Sequence, residues 1–161
     1  MTSRARELVS EIVTELESQA SQERFTLDPV LFKKSYDHAY TLESLERFPV
    51  CYVRCTTKTQ TPAARSDIYR SEYTITIEIV AALNNTNELS DGGTIEELEE
   101  LVDFAEQVER AMKDYCSNKA SCTLMRIDSD PLYEADNLES MNAFRSIQNY
   151  VYSITERNTL V

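Results

Sequence analysis

Polar and apolar positions alternate most regularly over residues 70–83, RSEYTITIEIVAAL. Here Tyr73, Ile75, Ile77, Ile79 and Ala81 interleave with Thr74, Thr76, Glu78, Val80 and Ala82. A period of two built from β-branched and aromatic residues is that of a half-buried strand. At roughly 3.3 Å per residue it spans about 40 Å, and a strand of that length needs partners on both edges. The pattern therefore predicts a central strand on which the rest of the domain is built.

The other elements follow from their own periods. Ala5, Leu8, Val9, Ile12, Val13 and Leu16 recur at i, i+3, i+4 and predict an amphipathic helix capped by Thr2 or Ser3. Residues 25–27 read as a short strand stopped by Asp28-Pro29. Residues 30–45 keep neither period and are read as a short helical turn followed by an extended piece around 36–40. Phe48-Pro49 opens a second strand over 50–57, the proline standing ahead of the ladder. Residues 58–69, KTQTPAARSDIY, are polar, contain Pro62 and read as a long hairpin loop into the central strand.

Residues 84–93 have the composition of a turn. Thr94 with Glu97 has capping-box spacing ahead of a helix whose apolar stripe is Ile95, Leu98, Leu101, Val102, Ala105, Val108, Met112 and Tyr115. A short strand is predicted over 123–128, an acidic linker over 128–140, and a last strand over 144–155. The last strand puts Phe144, Tyr150, Tyr152 and Ile154 on one face and Ile147 and Val151 on the other. The expected fold is a single α+β domain over residues 1–161, an antiparallel sheet with two amphipathic helices on one face. Val53, Val80, Ala82 and Val151 are then expected on sheet surface that helices on one face leave uncovered, which makes them interface candidates.

Composition narrows the chemistry. The net charge of −12, from 16 basic and 28 acidic residues, argues against a sequence-reading DNA binder; its simplest meaning is solubility. The segment 2–20 is too charged for a signal peptide, and no apolar run approaches a membrane span, so a soluble, cytoplasmically made chain is expected. The two glycines are the pair Gly92–Gly93, which leaves no glycine-rich phosphate loop. The one histidine, His38, lies in the undecoded segment. Cys51 and Cys55 on one strand stand too far apart to share a zinc ion, and all four cysteines are read as reduced, small apolar residues. Carboxylates occur in solvated runs, with no pair isolated among apolar neighbours. No catalytic, cofactor-binding or metal-binding residues are expected, and the chain reads as a non-enzyme.

The order of these pieces resembles the tail terminator (tail completion, minor tail) family of long-tailed bacteriophages. The resemblance rests on the N-terminal amphipathic helix (4–16), FPVCYVRC (48–55), YTITIEIVAAL (73–83), TIEELEELVDFAEQVERAM (94–112) and the closing YVYSIT (150–155). It covers most of the chain as pattern and order, without an invariant motif; segments 25–46 and 128–140 are longer than it leads one to expect. It implies a virion protein of the tail and neck, assembled in the host cytoplasm, whose ring of usually six copies caps the tail tube and ends its growth. The ring presents a surface to the head-side connector or stopper, while DNA passes through without specific binding. The resemblance implies no cofactor, no catalysis and no membrane partner. Two other classes stay open: a head-side neck adaptor docking on the portal, and an unrelated small α+β enzyme or binding module. Within a ring, the acidic residues would line the DNA passage or face outer solvent. The 58–69 loop is the expected contact with a neighbouring ring, through Lys58, Arg65 and Arg70 as cations and Ile68 and Tyr69 as apolar anchor.

Overall fold

The computed structural model describes residues 3–35, 45–63, 67–83, 93–116, 122–129 and 143–157. Two helices pack against a five-stranded, mostly antiparallel sheet that does not close into a barrel. The elements run α1 (Arg4–Ser21), β1 (Leu31–Lys34), β2 (Val50–Pro62), β3 (Ile68–Ala82), α2 (Gly93–Asp114), β4 (Cys122–Asp128) and β5 (Ala143–Arg157). Across the sheet the order is β1-β2-β3-β5-β4, so the predicted central strand is central. It pairs with β2 from Val50↔Val80 to Pro62↔Tyr69, and with β5 along its whole length, from Ile68↔Arg157 to Ala82↔Ala143.

Odd-numbered residues of β3 form one row of the core: Tyr73, Ile75, Ile77, Ile79 and Ala81 are all fully buried. Beside them lie Cys51 and Val53 of β2 and Phe144, Tyr150 and Tyr152 of β5. Over this row pack Leu8, Ile12 and Leu16 of α1 and Leu101, Phe104, Val108 and Met112 of α2. The tyrosines keep their hydroxyls bonded inside the core. Tyr152 donates to the Met112 carbonyl (2.8 Å), and Tyr150 to Gln148 Oε1 (2.6 Å), whose amide donates to the Ala105 carbonyl (2.8 Å). Tyr115 donates to Glu11 of α1 (2.8 Å), tying the two helices together.

Several local expectations need correction. Ser3 stands at the α1 N-cap, but its side chain makes no capping bond. Helix α2 begins at Gly93, so Thr94 lies inside the helix rather than at its cap. Residues 25–27 are not a strand. Phe25 is buried at ring-centroid distances of 5.8 Å from Phe32 and 5.4 Å from Phe104, and the Thr26 N–H donates to Gln107 Oε1 at 3.0 Å. The helical turn expected after residue 30 is instead β1, a four-residue strand parallel to β2. With so few residues it shows no readable period, and its pairing is dictated by β2. The extended piece expected around 36–40 lies outside the described residues.

The end of α1 carries a local strain. Arg24 N–H donates to the Gln19 carbonyl and Glu23 N–H to the Ala20 carbonyl, the paired bonds of a Schellman cap. Its left-handed position is held by Glu23 at φ 56°, where a side chain crowds the following carbonyl. Glu23→Gly, on an exposed residue, is expected to stabilise the fold by about 1 kcal/mol in chemical denaturation.

Burial pushes the hydroxyls of Tyr73, Tyr115, Tyr150 and Tyr152 well above the ordinary value of 10.0. In the unfolded chain these tyrosines ionise near 10 while the folded chain keeps them protonated, so stability falls as pH rises above that point. An alkaline titration of tyrosinate absorbance should show a late fraction that ionises together with loss of circular dichroism.

Candidate interaction surface

The distal half of β2 was expected as a loop and is strand. Residues 58–62 and 68–69 belong to the β2–β3 ladder; of the expected loop cations, Arg65 lies outside the described residues. Pro62 is tolerated for a definite reason. Ala63 N–H donates to the Ile68 carbonyl (2.9 Å), so by antiparallel alternation Thr61, Thr59 and Thr57 also bond toward β3. Lys58, Gln60 and Pro62 then turn their backbone outward, and the missing N–H of Pro62 takes no bond from the ladder. A threonine ladder adds side-chain bonds, among them Thr57 Oγ1 to Thr74 Oγ1 at 2.7 Å and Thr76 Oγ1 to Asn149 Oδ1 at 2.7 Å. Because β5 runs alongside β3 to its end, the extension has three strands rather than a free hairpin tip.

The expected contact residues do not form one cluster. Lys58 lies on the helix-side face, 5.2 Å above the Tyr73 ring and 4.0 Å from Glu156. Arg70 lies on the opposite face, where its Nε donates to Ser153 Oγ at 2.8 Å and it reaches Met125. Ile68 and Tyr69 are half-buried at the start of β3, on successive and so opposite faces.

On the helix-side face the extension is pinned by Glu156. Its carboxylate accepts from the Ser71 hydroxyl, from Tyr73 OH (2.6 Å) and from Gln60 Nε2 (3.4 Å), so one side chain bridges β5, β3 and β2. Partial burial by itself would raise this carboxyl, and the bonds from Ser71 and Tyr73 with the nearby Lys58 more than reverse it, leaving it below its ordinary value. Sequence reading passed over Glu156. The available signal was parity, since it shares the face of Tyr152 and Ile154.

The face turned away from the helices is mixed. Glu78 is buried there with its side chain 1% exposed, held by Arg145 Nε of β5 at 2.7 Å and Arg54 Nη1 of β2 at 3.5 Å. Val80 is on the same face opposite Val50 but was expected to be uncovered and is buried, so it offers no surface to a partner; Ala82 is half-buried with its N–H donating to the Glu46 carbonyl. Val151 is half-buried in a depression of about 300 Å³ shared with Thr57, Thr59, Glu72, Thr74, Met125 and Arg126. Val53 was expected on this face and is not there. It is opposite Ile77 in the ladder, points at the helices and is fully buried in the core, so it cannot meet a partner.

Among the described residues no group of three or more His, Cys, Asp and Glu side chains is placed to hold a metal ion, and His38 lies outside them. Burial pushes the Cys51 thiol well up. Cys116 and Cys122 were read as separate reduced residues; they are joined as a disulfide linking the end of α2 to β4, with Cα atoms 5.4 Å apart. Among the described residues no helix is long and apolar enough to cross a membrane.

Fold and surface together define a two-layer α+β domain with a three-stranded extension and a sheet face of hydroxyls and charges. No protein-family model matches the chain, and no curated protein matches it.

Glu156 makes the extension acid-sensitive. A carboxyl lowered in the folded state contributes its full stability above the ordinary value of 4.5, and that contribution is lost as pH falls through the lowered value. Glu156→Gln should cost about 1–2 kcal/mol at neutral pH, and the gap to the parent protein should narrow below pH 4.5 in denaturant titrations.

Proposed function

We propose that this chain is a structural protein of the neck of a long-tailed bacteriophage, a tail-terminator-like subunit whose ring caps the tail tube and joins it to the head-side connector. The reading rests on the resemblance in element order, and the observation that supports it most is the three-stranded extension. Its seven distal β2 residues, 56–62, are exposed on both faces, so the helices do not cover them. A rigid, hydroxyl-rich ribbon clear of the core suits contact between stacked rings better than a small-molecule pocket does.

In this reading Lys58, Ile68, Tyr69 and Arg70 contribute from two faces of the ribbon, with Arg65 beside them in sequence. Ala82 and Val151 contribute from the face away from the helices. The exposed carboxylates of α2, Glu96, Glu99, Glu100, Asp103 and Glu106, face either the DNA passage or outer solvent. With a Debye length of about 8 Å at physiological salt, those lining the passage would keep a duplex from adhering.

The test is assembly. Purified chain mixed with tail tubes and, separately, with portal-bearing heads is viewed by negative-stain electron microscopy. Rings at tube ends that stop further growth are the expected result. Binding to the portal alone would move the protein to the head-side adaptor role. A chain that binds neither would overturn the neck reading.

A further inference from the structure

The two margins of the sheet differ in shape and in charge. On one margin β1 accompanies β2 only from Val50 to Val53, and among the described residues nothing pairs with the outer edge of 56–62. The sheet therefore has a step seven residues long, with the backbone of Lys58 and Gln60 turned outward. On the other margin stands β4, itself seven residues long, with β5 as its strand partner among the described residues. Step and strand match in length at about 23 Å. Of the described residues, the exposed large hydrophobics are Leu31 and Met125, one on each margin.

Charge divides the same way. Strands β1 and β2 carry Lys33, Lys34, Arg54 and Lys58 and no carboxylate; Arg54 is engaged by Glu78 and Lys58 stands near Glu156, and α1, packed on these strands, adds Glu7, Glu11, Glu15 and Glu17 against Arg4 and Arg6. Helix α2 and β4 carry nine carboxylates, eight on α2 and Asp128 on β4, against Arg110, Lys113 and Arg126. Helix α2 lies toward this margin, since Ser129, just past β4, donates to Glu109 of α2 at 3.3 Å. The exposed Lys33 and Lys34 on one margin and the strongly acidic α2–β4 margin on the other favour meeting of unlike sides. Among the described residues no strand pairs with the outer edge of 56–62 or of β4, and such edges supply the hydrogen bonds for a contact of this kind.

We infer that copies of this chain join head to tail, the β4 edge of one seating in the 56–62 step of the next and continuing its sheet. Contact between unlike surfaces is heterologous, the kind that closes into a ring when its rotation allows. The inference deepens the neck reading by naming the surfaces that meet, and rests on that reading for its place in the virion. The bulge between Cys55 and Thr57 and the proline at 62 bound the step on both sides, which limits the partner strand to one register.

The test uses the isolated chain in sedimentation velocity at physiological ionic strength, where screening limits the mutual repulsion of copies of net charge −12. The parent chain should associate with rising concentration. Lys33→Glu/Lys34→Glu and, separately, Glu106→Lys/Asp128→Lys should each weaken association by about tenfold or more, and an equimolar mixture of the two should restore it. Gln60→Pro removes an outward N–H without touching the β2–β3 ladder, and should weaken association about tenfold relative to Gln60→Ala, with circular dichroism unchanged. A parent chain monomeric at every concentration, a mixture that does not recover, or equal behaviour of the two Gln60 variants would overturn the inference. Head-to-tail association without tube binding would sink the neck reading alone. Tube binding by rings indifferent to these substitutions would sink the edge pairing alone.

Discussion

Strand β3 is hydrogen-bonded on both edges for nearly its whole length, and every other element takes its position from that constraint. Its side chains alternate between a row of Tyr, Ile and Ala against the helices and a row of Thr, Glu and Val on the far face. A slip of one residue would exchange the rows, exposing three isoleucines and pushing Glu78 into the core. Glu78 is tolerated where it is because Arg54 and Arg145 arrive beside it from the two flanking strands. A buried carboxylate without such partners would carry a large desolvation cost. The ion triad is thus consistent with one register of the three central strands.

The same three strands serve two purposes along their length. Near Val50 and Ala82 they are the floor of an apolar core, and the tyrosines of β5 fasten α2 to them. Toward Pro62 and Arg157 the helices no longer cover β2, and cohesion passes to threonine hydroxyls, the Glu156 carboxylate and backbone ladders. Polar bonds of this kind hold shape in water without presenting a large apolar surface. That division leaves the distal β2 ribbon exposed, the feature on which the proposed neck role rests.

Strong periods in the sequence were enough to place α1, α2, the central strand and β5, because each element buries one face and must repeat its apolar residues at its own spacing. The two faces of β5 were legible for the same reason. The placement of the candidate contact residues was less legible. Lys58, Ile68, Tyr69 and Arg70 are close in sequence, yet the ladder that contains them sends them to opposite faces. Val53 was taken for surface when one residue of parity places it in the core.

What the sequence by itself determined is therefore the set of elements whose burial is written as a repeat. Tertiary structure decided the rest. Strand β1 exists because β2 offers an edge to a segment with no period of its own. The stretch through Pro62 is strand because its missing N–H falls on the side that needs no bond. Glu156 becomes a bridging group because pairing of β2, β3 and β5 brings Gln60, Ser71 and Tyr73 to it from distant parts of the chain. Each of these depends on which backbone and side-chain groups meet across strands, and a linear sequence records that only through the register that folding establishes.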